Sequence, residues 1–496
     1  MHVQRLSSAG VSQSTQPTAS LSQPHARYRA AGLLALMVFA LGMLLAPAEL
    51  YPGDPYAWFL EARSIVHDGR LSVPEDKAAY GESGQFFARN PQNGLLYSKY
   101  GLGSSITVLP AFAVARAMGI DSGRPLLAIL NLQYALMAAA MAAALIALAS
   151  RLTTSNVVAG IFVLLCLYST FFCQYLRAHT MELPLCLYFS LWFLALTEDR
   201  RGIAMEVLLW CALAMLVLSR PVFVLLVPVT SAGLLIRSRM PWHRPVGRLL
   251  RVVMPGVLVV LLLGIVNQVK FGSWSDVGYG QWRPGENVPA IGNGWNLFEA
   301  MVDPQFSLLI MFPVLLFALM RWRKFLSISP FAGTTAMVSF IVVGGAYLLT
   351  PNWRGEWSEG PRYLLFALPV LSLPVVLLLD ELRDGRERLR RAALVSAMVI
   401  IFGGMAANQY AILTRPFLAW YRILTPLGVV DRRIGGLTPV LPRGVLLVQL
   451  HRAIEAPRAH PILESARDRL PPEKVPAYVR IVALESAPSN LFWFGH

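Results

Sequence analysis

The side chains best suited to chemistry fall in short polar segments set between long apolar runs. YPGDPYAWFLEAR offers the carboxylates of Asp54 and Glu61 and the guanidinium of Arg63. YSKYGLG offers Lys99 between Tyr97 and Tyr100, and NWRGEWSEGPRY offers Trp353, Glu356, Arg362 and Tyr363. A positioned carboxylate can take the proton of an attacking hydroxyl. Fixed Lys and Arg charge can hold a phosphate and stabilise it as it departs, and Arg can do so bidentately. Interfacial Tyr and Trp also occur simply as a membrane belt. A further segment, RAHTMELP, sets His179 close to Glu182. A His near a carboxylate can form a second acid–base pair, but the two read first as hydrogen-bonded groups at a helix end, with Glu182 also a weak candidate for substrate contact.

Asp54 stands between Gly53 and Pro55, directly after the first apolar run. Proline is favoured at the first position of a helix, so a helix should start here with Asp54 near its N-terminus. The free amides of that end favour an ionised carboxylate. A plain N-cap uses the same geometry. Asp303, in MVDPQF, reads as a turn residue.

The elements that hold these segments are membrane helices. The 496-residue chain is 55% hydrophobic and only 14% charged, whereas soluble domains carry about 25% charged residues. Apolar runs near 31–49, 124–149, 156–173, 183–197, 203–219, 221–236, 251–269, 306–320, 329–350, 362–380 and 392–412 approach the length of a span. The net charge of +15 concentrates in short loops such as RSRMPWHRPVGRLLR, RWRK and DELRDGRERLRR. That pattern marks cytoplasmic loops rather than a nucleic-acid surface. With the N-terminus inside, the loops agree only if the apolar piece 101–119 does not cross. It is expected to lie in the outer interface, leaving eleven spans. Residues 50–123, 174–182, 270–305, 351–361 and 413–496 then share the outer side. The four cysteines lie in or beside apolar runs with no zinc or disulfide spacing.

Taken in order, Asp54 in YPGDPYAWFLEAR, Lys99 in YSKYGLGSSITVLP, the Arg-Pro of VLSRPVFVLLVPV and the final EWSEGPRY resemble the GT-C superfamily of membrane glycosyltransferases. The likeness is to its family-39-like branch, with protein O-mannosyltransferases and lipid A aminoarabinose transferases, and runs over roughly 30–412. It implies an all-α polytopic domain in the bacterial cytoplasmic membrane, with the active site facing the periplasm. It also implies inverting transfer of a sugar from a polyprenyl-phosphate carrier to a hydroxyl on a glycan, lipid or protein acceptor. Asp54 would be the catalytic base, and Lys99 and Arg362 would bind the donor phosphate. Glu61, Arg63, Tyr97, Tyr100, Glu182, Trp353, Glu356 and Tyr363 would be weaker substrate contacts. The chain departs from the family where Pro55 replaces a second acidic residue and Gly-Leu-Gly replaces paired prolines.

The expected organisation is a disordered cytoplasmic tail at 1–28, a transmembrane domain at 29–412 with its catalytic loop at 50–123, and a small α+β outer domain at 413–496. No cofactor is expected. No Asp-x-Asp cluster adjoins Asp54, so a metal-free site is the better reading, with a divalent metal left undecided. The rival classes are a flippase for lipid-linked sugars and a non-catalytic subunit of envelope glycan assembly. Transporters place ionisable groups at mid-membrane, whereas here they gather in the outer loops.

Overall fold

The structure, a computed structural model, describes residues 24–47, 54–75, 86–199, 202–237, 245–278, 294–302, 307–350, 361–384, 392 and 394–404. The chain is mostly helical. Helix α1 (Pro24–Leu44) is followed by α2 (Asp54–Asp68), and a hairpin of β1 (Phe87–Arg89) and β2 (Leu96–Ser98) leads into α3 (Leu102–Ala117). The strands are antiparallel, with Ala88 opposite Tyr97. Next come α4 (Gly123–Ala149), α5 (Asn156–Tyr168), α6 (Phe172–Arg177), α7 (Glu182–Leu196), α8 (Ile203–Ser219), α9 (Leu226–Arg237), α10 (Pro245–Phe271) and α11 (Gly294–Val302). Shorter helices complete the order, including a 3-10 segment Arg362–Ala367.

Helix α4 lies at the centre, packed against α1, α3 and α7, and α7 in turn packs on α8. Trp192, Phe189 and Phe193 of α7 and Phe162 of α5 are fully buried. Trp192 directs its indole N–H at Thr230 Oγ1, 2.9 Å away, so even this aromatic layer leaves its polar edge partnered.

Gly123–Ala149, Leu250–Phe271 and Pro330–Leu348 are long and apolar enough to cross a membrane, and the pair Arg362–Leu371 and Val375–Arg383, bent by 43°, would make a fourth span. The other expected spans described are shorter apolar helices or broken pieces. Prolines account for most breaks, because they lack an N–H and clash with the preceding turn. Pro221 ends α8, Pro313 separates Leu308–Met311 from Val314–Leu319, and Pro374 precedes the last bend. The expected span 156–173 stops at Tyr168 for another reason. Thr170 turns its hydroxyl back to Cys166 O at 2.8 Å, and Phe171 N–H bonds Met311 O at 3.2 Å.

Helix α3 covers the apolar piece 101–119 and would be about 24 Å long. Pro110 lies inside it. Gln133 of α4 repairs the ladder there: Ala111 N–H donates to its Oε1 at 3.0 Å, and its Nε2 donates to Thr107 O. An inserted side chain of this kind is a recognised cause of helix bending.

The hairpin closes the C-terminus of α10. Asn90 Nδ2 donates to Val269 O at 3.0 Å and Gln92 Nε2 to Gly272 O at 2.9 Å. Gly272 has φ +76°, the left-handed conformation that commonly ends helices. Ion pairs join residues of the expected cytoplasmic loops: Arg151–Glu198 at 2.6 Å, Arg321–Glu381 at 2.5 Å, and Arg237–Asp199. The expected tail 1–28 lies outside the described residues up to 23, and its last five residues, 24–28, are instead the first turn of α1; the expected outer domain 413–496 lies outside the described residues.

Candidate active site

Helix α2 starts at Asp54, as the Gly-Asp-Pro sequence predicts. The Asp54 side chain lies outside what is described. Ala57, Trp58, Phe59, Glu61 and Ala62 of α2 are buried. The Trp58 ring stands edge-on to Tyr100 at 5.1 Å between centroids, and Phe59 meets the His179 ring at 6.2 Å. The helix that bears Asp54 thus touches both the Lys99–Tyr100 segment and the His179 segment.

Glu61 belongs to an internal tie. Its Oε1 lies 2.7 Å from Lys270 Nζ with both side chains fully buried, and its Oε2 accepts from Ser105 Oγ at 2.5 Å. Lys270 also donates to Tyr100 O at 2.7 Å. Burial pushes the Glu61 carboxyl above its ordinary range, while Lys270 and Ser105 pull it down. Ions this deep must be paired, since their desolvation is costly. Both carboxylate oxygens are therefore engaged with protein groups, which makes Glu61 a tie between α2, α3 and α10.

Lys99 is buried too, with its Nζ 5.2 Å from the Tyr100 ring centroid and 5.8 Å from that of Phe86. Its N–H bonds Phe86 O at 3.1 Å. Tyr97, on β2, accepts from Asn93 Nδ2 at 3.1 Å. Arg63 is half-buried.

The densest polar cluster forms where α7 begins and α8 ends. Glu182 Oε1 accepts from Arg220 Nη2 at 3.0 Å, and Arg362 Nε lies 3.9 Å from the same oxygen. Both guanidiniums lie over the Tyr363 ring, at 4.6 Å for Arg220 and 5.0 Å for Arg362. Tyr363 also stacks on Tyr347 at 5.2 Å with the planes 11° apart. Arg220 is the site residue that sequence reasoning missed. The Arg-Pro break of VLSRPVFVLLVPV was the signal for it, but not for its partner.

His179 and Glu182 are held by different partners. His179 Nε2 lies 2.8 Å from Asn131 Oδ1, and Asn131 Nδ2 donates to Pro47 O at 3.2 Å. The expected helix-end pairing of His179 with Glu182 is replaced by these longer-range contacts, because α4 and α8 supply better-placed groups.

Two glycines bring the Lys99 segment against the end of α8. A Cβ on Gly101 would lie 2.0 Å from Leu218 O, and one on Gly103 would lie 2.6 Å from Ser219 N. The buried polar atoms without a hydrogen-bond partner among the described residues include Ser219 Oγ at this junction, and Trp58 Nε1, Tyr134 OH, Thr180 Oγ1 and Glu182 Oε2. Buried polar groups are nearly always hydrogen-bonded. Trp353, Glu356 and Asp303 lie outside the described residues.

No family model and no curated protein matches the sequence. Solved structures do match. The apo oligosaccharyltransferase of Archaeoglobus fulgidus superposes with a TM-score of 0.52 at 13% identity, covering 87% of this chain and 60% of that one. ArnT from Cupriavidus metallidurans bound to undecaprenyl phosphate gives 0.43 at 12% identity, covering 95% and 77%. A. fulgidus AglB in complex with an inhibitory peptide and a dolichol-phosphate gives 0.47 at 13% identity, covering 78% and 56%. The chain thus spans about three fifths of the length of the oligosaccharyltransferase that it matches. At these identities the likeness is one of architecture, and it agrees with the resemblance carried by the sequence motifs: the chain has a GT-C-like fold.

Proposed function

We propose that this chain is an inverting glycosyltransferase of the membrane, moving a sugar from a polyprenyl-phosphate carrier to a hydroxyl acceptor on the outer face. The observation that carries the reading is the pair of guanidiniums, Arg220 and Arg362, gathered on Tyr363 and held by Glu182. Phe59, on the helix that opens with Asp54, meets His179, three residues before Glu182. The GT-C-like fold and the undecaprenyl phosphate and dolichol-phosphate named for the neighbours agree with it.

In this reading the acceptor oxygen attacks the anomeric carbon from the face opposite the phosphate. Asp54 takes the hydroxyl proton as the new C–O bond forms. The bond from the anomeric carbon to the phosphate oxygen breaks, and its electron pair leaves with the phosphate. The phosphate gains a negative charge at that moment. Arg220, Arg362 and Lys99 stabilise it, and a pre-placed guanidinium does so without reorganising. Glu182 holds Arg220 in position, and Tyr363 supports both guanidiniums. Trp353 and Glu356 are kept as acceptor contacts, and Arg63, Tyr97 and Tyr100 as parts of the surrounding wall. The eleven apolar segments are taken as spans of the cytoplasmic membrane, with α2, the hairpin and α3 on the outer side.

The test is transfer from a radiolabelled polyprenyl-phosphate sugar by membranes containing the protein. Asp54→Asn keeps the shape and removes the base, so transfer should fall by about 100-fold or more while carrier binding persists. Near-normal transfer by Asp54→Asn would reduce Asp54 to an N-cap. Movement of the carrier across the bilayer without transfer would favour the flippase reading.

A further inference from the structure

Five side chains, each with a buried polar atom unpartnered among the described residues, are linked to the arginine pair through ring contacts and through residues adjacent in sequence. Trp58 packs on Tyr100, and the next residue, Gly101, abuts Leu218 and Ser219. Ser219 precedes Arg220, which bonds Glu182 at 3.0 Å. Thr180 stands two residues before Glu182, and its neighbour His179 meets the Tyr134 ring at 5.2 Å. Trp58, Tyr134, Thr180, Glu182 and Ser219 are each at most 3% exposed. Trp58 Nε1, Tyr134 OH, Thr180 Oγ1, Glu182 Oε2 and Ser219 Oγ nonetheless have no hydrogen-bond partner among the described residues. A buried donor or acceptor left unmade is destabilising, so five of them need a reason.

We infer that these groups form the sugar subsite, and that the sugar it takes is a neutral, hydroxyl-bearing ring with no amino or carboxylate substituent. This rests on the glycosyltransferase reading and narrows its substrate. Four of the five groups are uncharged: one indole N–H and three hydroxyls. The fifth is one oxygen of a carboxylate whose charge Arg220 already meets at 3.0 Å, with Arg362 at 3.9 Å. An ammonium group placed at Glu182 Oε2 would share that carboxylate with two guanidiniums and be repelled by both. A carboxylate substituent would compete with the carrier phosphate for the same arginines. A sugar hydroxyl donates to Glu182 Oε2, accepts from Trp58 Nε1 and exchanges bonds with Tyr134, Thr180 and Ser219 without adding charge.

The test compares binding of four lipids to the purified full-length protein in nanodiscs. They are bare undecaprenyl phosphate and the same carrier bearing a neutral hexose, an amino sugar or a uronic acid. The hexose carrier should bind about 10-fold tighter than bare carrier, and tighter than both charged versions. Tyr134→Phe and Thr180→Val keep shape and remove one hydroxyl each. Each should lower the hexose gain several-fold and leave the affinity for bare carrier unchanged. A charged sugar that binds as well as the hexose overturns the inference. So do variants that weaken bare and hexose carriers equally. Failure of the wild-type protein to bind any of the four overturns the glycosyltransferase reading itself, and this inference with it.

Discussion

Lys270 Nζ lies 2.7 Å from Glu61 Oε1, and neither side chain reaches solvent. The pair joins α2 to α10, two elements far apart in the sequence. Ser105 adds a bond from α3, and Tyr100 O takes another proton of the ammonium. The start of α2, where Asp54 stands, is thereby referenced to the end of a long apolar helix.

Removing one partner should cost more than removing both. Lys270→Met leaves Glu61 as an uncompensated buried charge and should destabilise the protein by about 3–5 kcal/mol. The double variant Lys270→Met with Glu61→Met should recover a large part of that loss. Unfolding of the detergent-solubilised proteins measures both. Equal stability for the single and double variants would show that the pair is not the tie described.

The arginine pair should act as a unit. Arg220→Ala strands Glu182 and removes one cation, so transfer should fall by about 100-fold. Arg220→Lys should be intermediate, because it keeps the charge and loses the fork. Arg362→Ala should behave like Arg220→Ala, and the double variant should lose less than the sum of the two. Single-turnover rates separate these cases, and strictly additive small losses would leave both arginines as interface anchors.

Gly101 should tolerate no side chain. Its Cβ would overlap Leu218 O at 2.0 Å, and a carbonyl of the main chain cannot swing away. Gly101→Ala should cost about 1–3 kcal/mol and reduce transfer by displacing the Lys99 segment. Gly345→Ala, where nothing lies within 4 Å, should be neutral or slightly stabilising in its helix. Expression, thermal unfolding and transfer of the two variants make the comparison.

The threading has its own test. Lys99 is buried and a poor labelling position, whereas Leu95 and Met118 are 47% and 64% exposed on either side of α3. With the exposed Cys211 replaced, Leu95→Cys and Met118→Cys should both react with an impermeant maleimide from the outside of intact cells. Reaction from opposite sides would make α3 a span and reverse every later loop.

Much of the scaffold was legible from local signals. The boundaries of α4 follow the apolar run at 124–149, and Gly-Asp-Pro marks the start of α2. The Arg-Pro pair marks the end of α8. What the sequence hid depends on tertiary contact. Nothing in YSTFFC breaks a helix strongly, yet the chain bends there because Phe171 bonds Met311 O. The burial of Lys270 rests on Glu61, a partner about two hundred residues away that no local signal announces. Arg220 was visible as a break and invisible as a ligand of Glu182, because that pairing arises only when α7 packs on α8.

The contact of Gly101 and Gly103 with Leu218 and Ser219 runs from backbone to backbone, apart from the Ser219 hydroxyl. The location of residue 220 is therefore dictated by main-chain shape rather than by what residue 220 happens to be. Such a socket separates address from content. The main chain fixes where residue 220 lies, while its partner Glu182 fixes what it must be. A lineage built on this frame would have to revise residues 220 and 182 together, because either one alone leaves a buried charge unmet.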